Sequence, residues 1–308
     1  MGNFCESKKS SISSESNKSS IYSNSCLNSI IAHKNKIASL IELPSGKIAT
    51  GSYDNTIKIW DINNNQCERI IQEEGNVLCL LEFDQNKLLS GTNMNNIQSW
   101  DINYPNQSLY KFTGHTLWVN CLVKCNNQYF ASCSNDSDIR IWDYYSRNCK
   151  NILKGHTDCI LALIMLNDGK LCSGSTDCSI KIWNWESNLC TLTLDGHNDW
   201  VKCLCQLKNN YILSGSNDKT IKIWDNDKII DVLIGHLSSV RTLCVINDNV
   251  IASGSFDKTI KIWDVRNKQC IKTLEGHTGN VTGIIYHSSG ILISCSNDGT
   301  IKSWKISI

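Results

Sequence analysis

Nothing in this chain of 308 residues approaches the ~18 consecutive apolar residues that a bilayer-spanning helix needs, and no secretory leader opens it. Both absences point to an intracellular protein. Charge is in excess of neither sign: 30 Lys and Arg stand against 29 Asp and Glu, for a formal net charge of +1. A protein that holds nucleic acid by charge carries a basic stripe, so this balance speaks against that class. The 17 cysteines include no C-x-x-C pair and one close pair, Cys203 and Cys205, which does not suggest zinc. Cys79, Cys121, Cys172, Cys205 and Cys244 lie inside apolar runs, where a reduced thiol behaves as a small hydrophobe. Helical periodicity is also missing.

What the chain does have is one sentence written seven times. The stretch 213–225, LSGSNDKTIKIWD, returns as IATGSYDNTIKIWD ending at Asp61 and IASGSFDKTIKIWD ending at Asp264, with looser copies between. The tryptophans of these copies stand at 60, 100, 142, 183, 224, 263 and 304, a period near 40 that signals a repeat architecture. Each repeat reads as four short strands joined by tight turns. In the copy from Asp195, an alternating strand leads to Gly196-His197, and two further strands and the turn Asn217-Asp218-Lys219 precede the strand ending at Asp225.

The G-H, the S-x-D turn and the W-D ending in register resemble the WD40 repeat, and the resemblance covers residues 26–308. It implies an all-β fold, a seven-bladed β-propeller of four-stranded antiparallel blades around a central channel. A separate observation supports a closed ring. The last repeat stops soon after Trp304 and lacks the strand that follows the others, whereas Cys26 to Ile31 supplies an extra strand at the start. Cys26 precedes His33 by the same interval that separates Cys149 from His156 and Cys270 from His277. The N-terminal strand is therefore expected to complete the last blade, hiding two open sheet edges.

Residues 1–25 are serine-rich and nearly free of apolar side chains, too few to offset the entropy of ordering, and are read as a disordered tail. Gly2 and Cys5, with Lys8 and Lys9 following, form a candidate lipidation site, although Glu6 stands where the acylation pattern has Ser or Thr. One myristoyl chain holds a membrane only marginally, so acylated Cys5 or the lysines would supply the second signal.

Six repeats carry a Ser (or Thr), a His and an Asp, superficially the kit of a nucleophilic hydrolase. The sets are His33, Thr50, Asp54, Trp60; His115, Ser132, Asp136, Trp142; His156, Ser173, Asp177, Trp183; His197, Ser214, Asp218, Trp224; His236, Ser253, Asp257, Trp263; and His277, Ser294, Asp298, Trp304. Six copies argue for architecture, since catalysis needs one. The family resemblance implies a buried network in each blade, running from Trp through hydroxyl and imidazole to carboxylate. An indole offers one donor, a hydroxyl and an imidazole can do both, and a carboxylate terminates the chain. The second repeat departs, with Glu73 in the register of the His and Met94 in that of the Asp, while Ser90 and Trp100 remain. With both partners replaced, and with Pro105 in the loop that follows, this blade is expected to be the loosest.

In the family, partners often sit at the channel mouth, on the third and fifth residues after the histidine and on the residue before the turn Asp. Here those positions include Lys36, Tyr53, Trp118, Trp200, Lys202, Arg241 and Phe256, and no carboxylate. Aromatics and Arg dominate binding hot spots, and unopposed cations suit an acidic or phosphorylated peptide. The expected function is a non-enzymatic protein-interaction scaffold or adaptor, part of a multi-protein complex and cytoplasmic, with the nucleus left open. No cofactor, metal or small-molecule substrate is implied. The alternatives are a component of a ribonucleoprotein complex and a signalling scaffold tethered to the membrane through Gly2.

Overall fold

The computed structural model describes residues 26–104 and 107–306. All of its regular structure is strand, and no helix among the described residues is long and apolar enough to cross a membrane. Twenty-eight strands form seven antiparallel sheets of four. Six sheets use four consecutive strands; the seventh pairs the N-terminal strand Cys26–Ile31 with Thr300–Trp304, next to Leu292–Ser296 and Val281–Tyr286. The ring thus closes through the first strand.

Local sequence dictates the layering within a blade. The second strands, such as Ile48–Ser52 and Ile212–Ser216, are buried along their whole length. Their small residues allow neighbouring blades to press on both faces. In the third strands, Ile-Lys-Ile-Trp alternates, burying the isoleucines while the lysine stays half-buried. The outer strands, such as Leu189–Leu194, are largely exposed.

The hydrophobic core is divided among the joints between blades. Ala49, Ile57 and Ile59 of blade 1 pack with Val77, Leu80 and Trp100 of blade 2, and equivalent clusters follow round the ring. The last cluster joins Ile293, Cys295 and Ile301 to Ile37, Ile48 and Trp60, so last and first blades share a core as any two neighbours do. Polar contacts reinforce this joint. Thr282 Oγ1 donates to Ile37 O at 2.5 Å and His287 Nε2 to Gly46 O at 2.8 Å.

Two backbone devices recur. The residue after the turn Asp, or after Met94 in blade 2, has positive φ in every blade, from Asn95 (63°) and Asn55 (64°) to Lys219 (74°) and Gly299 (77°). The innermost strand of every blade carries a bulge, at Ile37/Ser39, Val77/Cys79, Val119/Cys121, Ile160/Ala162, Val201/Cys203, Val240/Thr242 and Val281/Gly283. The extra residues are Ala38, Leu78, Asn120, Leu161, Lys202, Arg241 and Thr282, and a bulge re-aims its side chain out of the regular alternation. All seven line the central channel.

Candidate functional site: the channel mouth and the networks beneath it

The six sets of His, hydroxyl, Asp and Trp are brought together in each blade. In blade 3, Trp142 Nε1 donates to Ser132 Oγ at 2.7 Å, His115 Nε2 meets the same oxygen at 2.7 Å, and His115 Nδ1 meets Asp136 Oδ2 at 2.8 Å. Blades 4, 5 and 6 repeat these contacts within 0.1 Å of 2.7 Å. Blade 1 uses Thr50 in place of Ser, and blade 7 uses Ser294. Each carboxylate also accepts the backbone N–H after the histidine, as Asp136 does from Thr116 at 3.0 Å. Burial works to raise the Asp136 carboxyl, but the His115 and backbone hydrogen bonds outweigh it and hold its pKa down to about 2. Asp177 is held at about 2 against burial by hydrogen bonds from Ser179 and His156. For His33 burial wins over the attraction of Asp54 and lowers the imidazole to about 4.

Every one of the six hydroxyls is fully buried. A nucleophile must reach its substrate, so the networks tie turn to blade and present no reactive oxygen. Among the described residues no three His, Cys, Asp or Glu side chains stand together as a metal site.

Blade 2 differs from its sequence reading. Glu73 is buried and replaces the missing histidine: its Oε1 accepts hydrogen bonds from Ser90 Oγ and, at 2.9 Å, from Trp100 Nε1, which also reaches Ser90 Oγ at 2.9 Å. Burial raises the Glu73 carboxyl above its ordinary value, opposed by these bonds. Met94, in the register of the Asp, is largely exposed and joins no network. The joint with blade 3 carries Phe83, Phe112 and Phe130, with Phe83 stacked on Tyr144 at 4.3 Å. Blade 2 thus has a substituted network and dense aromatic packing at its joint with blade 3. Pro105, Gly2 and Cys5 lie outside the described residues.

At the channel mouth, Tyr53, Trp118, Trp200 and Arg241 line one depression of about 340 Å³. Trp118 and Trp200 are 43% and 45% exposed, large values for indoles held on a rigid rim. Lys202 lines the channel beside it, its Nζ 5.1 Å from the Trp200 ring centre and 4.9 Å from that of Phe256. Lys36 stands apart, 5.7 Å over Tyr53. Burial lowers the Lys202 pKa, and the Arg241 charge lowers it further. Among the described residues, none of Lys36, Lys202 and Arg241 is in a salt bridge. Two carboxylates outside the mapped positions are also present: Asp158 lines the depression, and Asp199 binds Asn217 Nδ2 at 2.6 Å.

Sequence reasoning passed over His287, the one histidine outside the networks, because it lacks the G-H context. It is buried at the closing joint, where it bonds Gly46 O and meets Ser289 Oγ at 2.7 Å.

The profile of the WD domain, G-beta repeat family matches residues 24–61, 106–143, 147–184, 188–225, 227–264 and 268–305. The chain belongs to the WD40 family. The stretch 62–105 between the first and second matched segments holds Glu73 and Met94, so the divergence seen in the hydrogen bonds of blade 2 is also a divergence of sequence. Each matched segment runs from one blade's outer strand to the residue after the next blade's repeat Trp, so repeat and blade are offset by one strand. Locally, the chain is similar to an F-box protein of Saccharomyces cerevisiae, 39% identical over 51 residues. That likeness spans 16% of this chain and 8% of the yeast protein. A WD40 propeller of this kind suggests a protein-interaction scaffold.

Proposed function

We propose that the protein is a non-enzymatic adaptor whose channel mouth binds an acidic or phosphorylated segment of a partner protein. The observation that carries this reading is the Trp200, Lys202, Phe256 and Arg241 group: a desolvated ammonium between two rings, beside a guanidinium, neither with a carboxylate in salt-bridge range among the described residues. Desolvated cations gain most from an anionic ligand that brings charge and acceptor oxygens together. The exposed indoles of Trp118 and Trp200 provide the apolar flanks of a hot spot. Asp158 and Asp199 set a limit on the ligand, favouring a compact anion over a long acidic run. The local likeness to an F-box protein supports an adaptor within a larger assembly. The reading includes a cytoplasmic setting, in which the chain's 17 cysteines would stay reduced.

The test is binding of matched peptide sets by fluorescence anisotropy. Phosphorylated or acidic peptides are expected to bind with an affinity that falls as salt rises, and Lys202→Glu with Arg241→Glu to weaken it at least ~10-fold, the effect of about 1.4 kcal/mol. Equal binding by wild type and the double variant, both with unchanged melting, overturns the reading. The tether is tested separately: if Gly2 is acylated, Gly2→Ala shifts the protein from membrane to soluble fractions, and unchanged fractionation removes that proposal.

A further inference from the structure

Directly behind the bulge of each innermost strand, one residue faces one residue of the second strand. In six blades one of the two is glycine: Ser39, Cys79, Ala162, Cys203 and Thr242 face Gly51, Gly91, Gly174, Gly215 and Gly254, and Gly283 faces Cys295. The reason is steric. A Cβ added to Gly91 would lie 2.5 Å from Cys79 Sγ, one on Gly215 2.5 Å from Cys203 Sγ, and one on Gly283 2.9 Å from Cys295 Sγ. The space accommodates one side chain. Blade 3 alone places two there, Cys121 opposite Cys133.

Directly opposed residues of an antiparallel pair have Cα atoms about 4.5–5.5 Å apart. That range falls inside the roughly 4.4–6.8 Å that a disulfide spans. The backbone therefore needs no large movement to join these two sulfurs, which already share the volume of one side chain. Both are held against blade 4, Cys121 Sγ 3.5 Å from Leu163 O and Cys133 Sγ 3.5 Å from Ile160 O.

The two thiols are unequal. Cys121 is half-buried on the wall of the channel, in a cavity of about 230 Å³ that Arg241 also lines, whereas Cys133 is fully buried behind it. The neighbouring Cys133 thiol and the Arg241 charge lower the Cys121 pKa against the effect of burial. Burial pushes Cys133 the other way. A low-pKa, reachable thiol beside a second one is the arrangement that redox-responsive cysteines share.

We propose that Cys121 and Cys133 form a reversible dithiol–disulfide site, oxidised by a small peroxide that enters the channel. The Cys121 thiolate attacks one peroxide oxygen, the O–O bond breaks, and the departing hydroxide takes up a proton as water. Cys133 then attacks the sulfenic sulfur, losing its own proton, and the S–O bond breaks as a second water leaves. Two thiols are oxidised, one peroxide is reduced to two waters, and one S–S bond forms. A thiol reductant reverses the step by exchange.

The full chain is treated with hydrogen peroxide, alkylated in denaturant and mapped by mass spectrometry. The expected result is a Cys121–Cys133 linked peptide that appears while Cys133 disappears from the alkylated pool, and that dithiothreitol removes. Cys133→Gly, which places there the glycine that five other blades carry at this position, is expected to fold normally, lose the link and leave a sulfenic acid on Cys121 that dimedone traps. The inference is overturned if both residues alkylate as free thiols at doses that oxidise the exposed Cys67, Cys190 and Cys270, or if Cys121 links to the neighbouring Cys79.

Discussion

At Glu73, one residue decides whether blade 2 costs or contributes stability at neutral pH. Its folded pKa is raised by burial, so the favourable contribution is present below the unfolded value of 4.5 and is lost as pH rises through the higher folded value. Glu73→Gln keeps an oxygen for Trp100 and Ser90 without the charge, and is expected to raise stability at pH 7 and flatten its dependence above pH 4.5, read by urea unfolding. Restoring the family's pair is the complementary experiment. Glu73→His with Met94→Asp should be more stable than the sum of the two single changes by about 1–3 kcal/mol, since Glu73→His alone leaves a buried imidazole nitrogen without its carboxylate and Met94→Asp alone sets a second acid near Glu73. His33 gives the opposite pH signature to Glu73. Its folded pKa of about 4 lies below the ordinary 6.5, so its contribution is complete above pH 6.5 and disappears as pH falls through 4. Urea midpoints measured from pH 7 to 4 should fall, and His33→Gln should reduce that slope. The six networks could be read from sequence because each member recurs at a fixed spacing. Glu73 as a working acceptor could not, since a lone substitution shows which residue has gone and says nothing of what its replacement touches.

Among the elements, the turn after the Asp shows how a shared backbone shape can carry different constraints. Asn55, Ser137, Cys178 and Lys219 hold positive φ without glycine, so the conformation alone does not demand Gly299. What demands it is the approach of the chain end: a Cβ on Gly299 would lie 2.6 Å from His33 O, where the Gly299 carbonyl accepts from the Ala32 and His33 amides. Gly299→Ala is expected to cost about 1–3 kcal/mol and to loosen the N-terminal strand, seen as faster amide exchange at Cys26–Ile31. Lys219→Ala, at the same turn position in blade 5, should change stability by less than about 0.5 kcal/mol. The strands themselves were legible from alternation and turn residues. The bulges were not, because an extra residue in a strand leaves no periodic mark, and yet they put Lys202 and Arg241 on the channel wall.

In the whole molecule, stability is shared among joints, and the seventh connects residues far apart in sequence with the added polar contacts of Thr282 and His287. Removing residues 26–31 exposes the Thr300–Trp304 edge, and the expected outcome is a lower melting temperature with aggregation followed by light scattering. Unchanged melting of a soluble deletion variant would show that the joint between Ile293 and Ile37 holds without the strand. The ring was visible in the sequence because its period and strand count are global properties. The character of the mouth was visible only in part, since the mapped positions carry no acid but Asp158 and Asp199 flank them.

The same closure sets a timetable for synthesis. Lys302 donates to Ser29, its partner 273 residues earlier. At the usual pace of about 5–20 residues per second, the N-terminal strand waits roughly 15 to 50 s on the ribosome before its partner is made. For that interval the nascent chain carries an unpaired strand at its front and a growing sheet behind it. Six blades can settle in turn as they emerge, but the first strand stays open to chaperones and proteases until the last repeat leaves the exit tunnel.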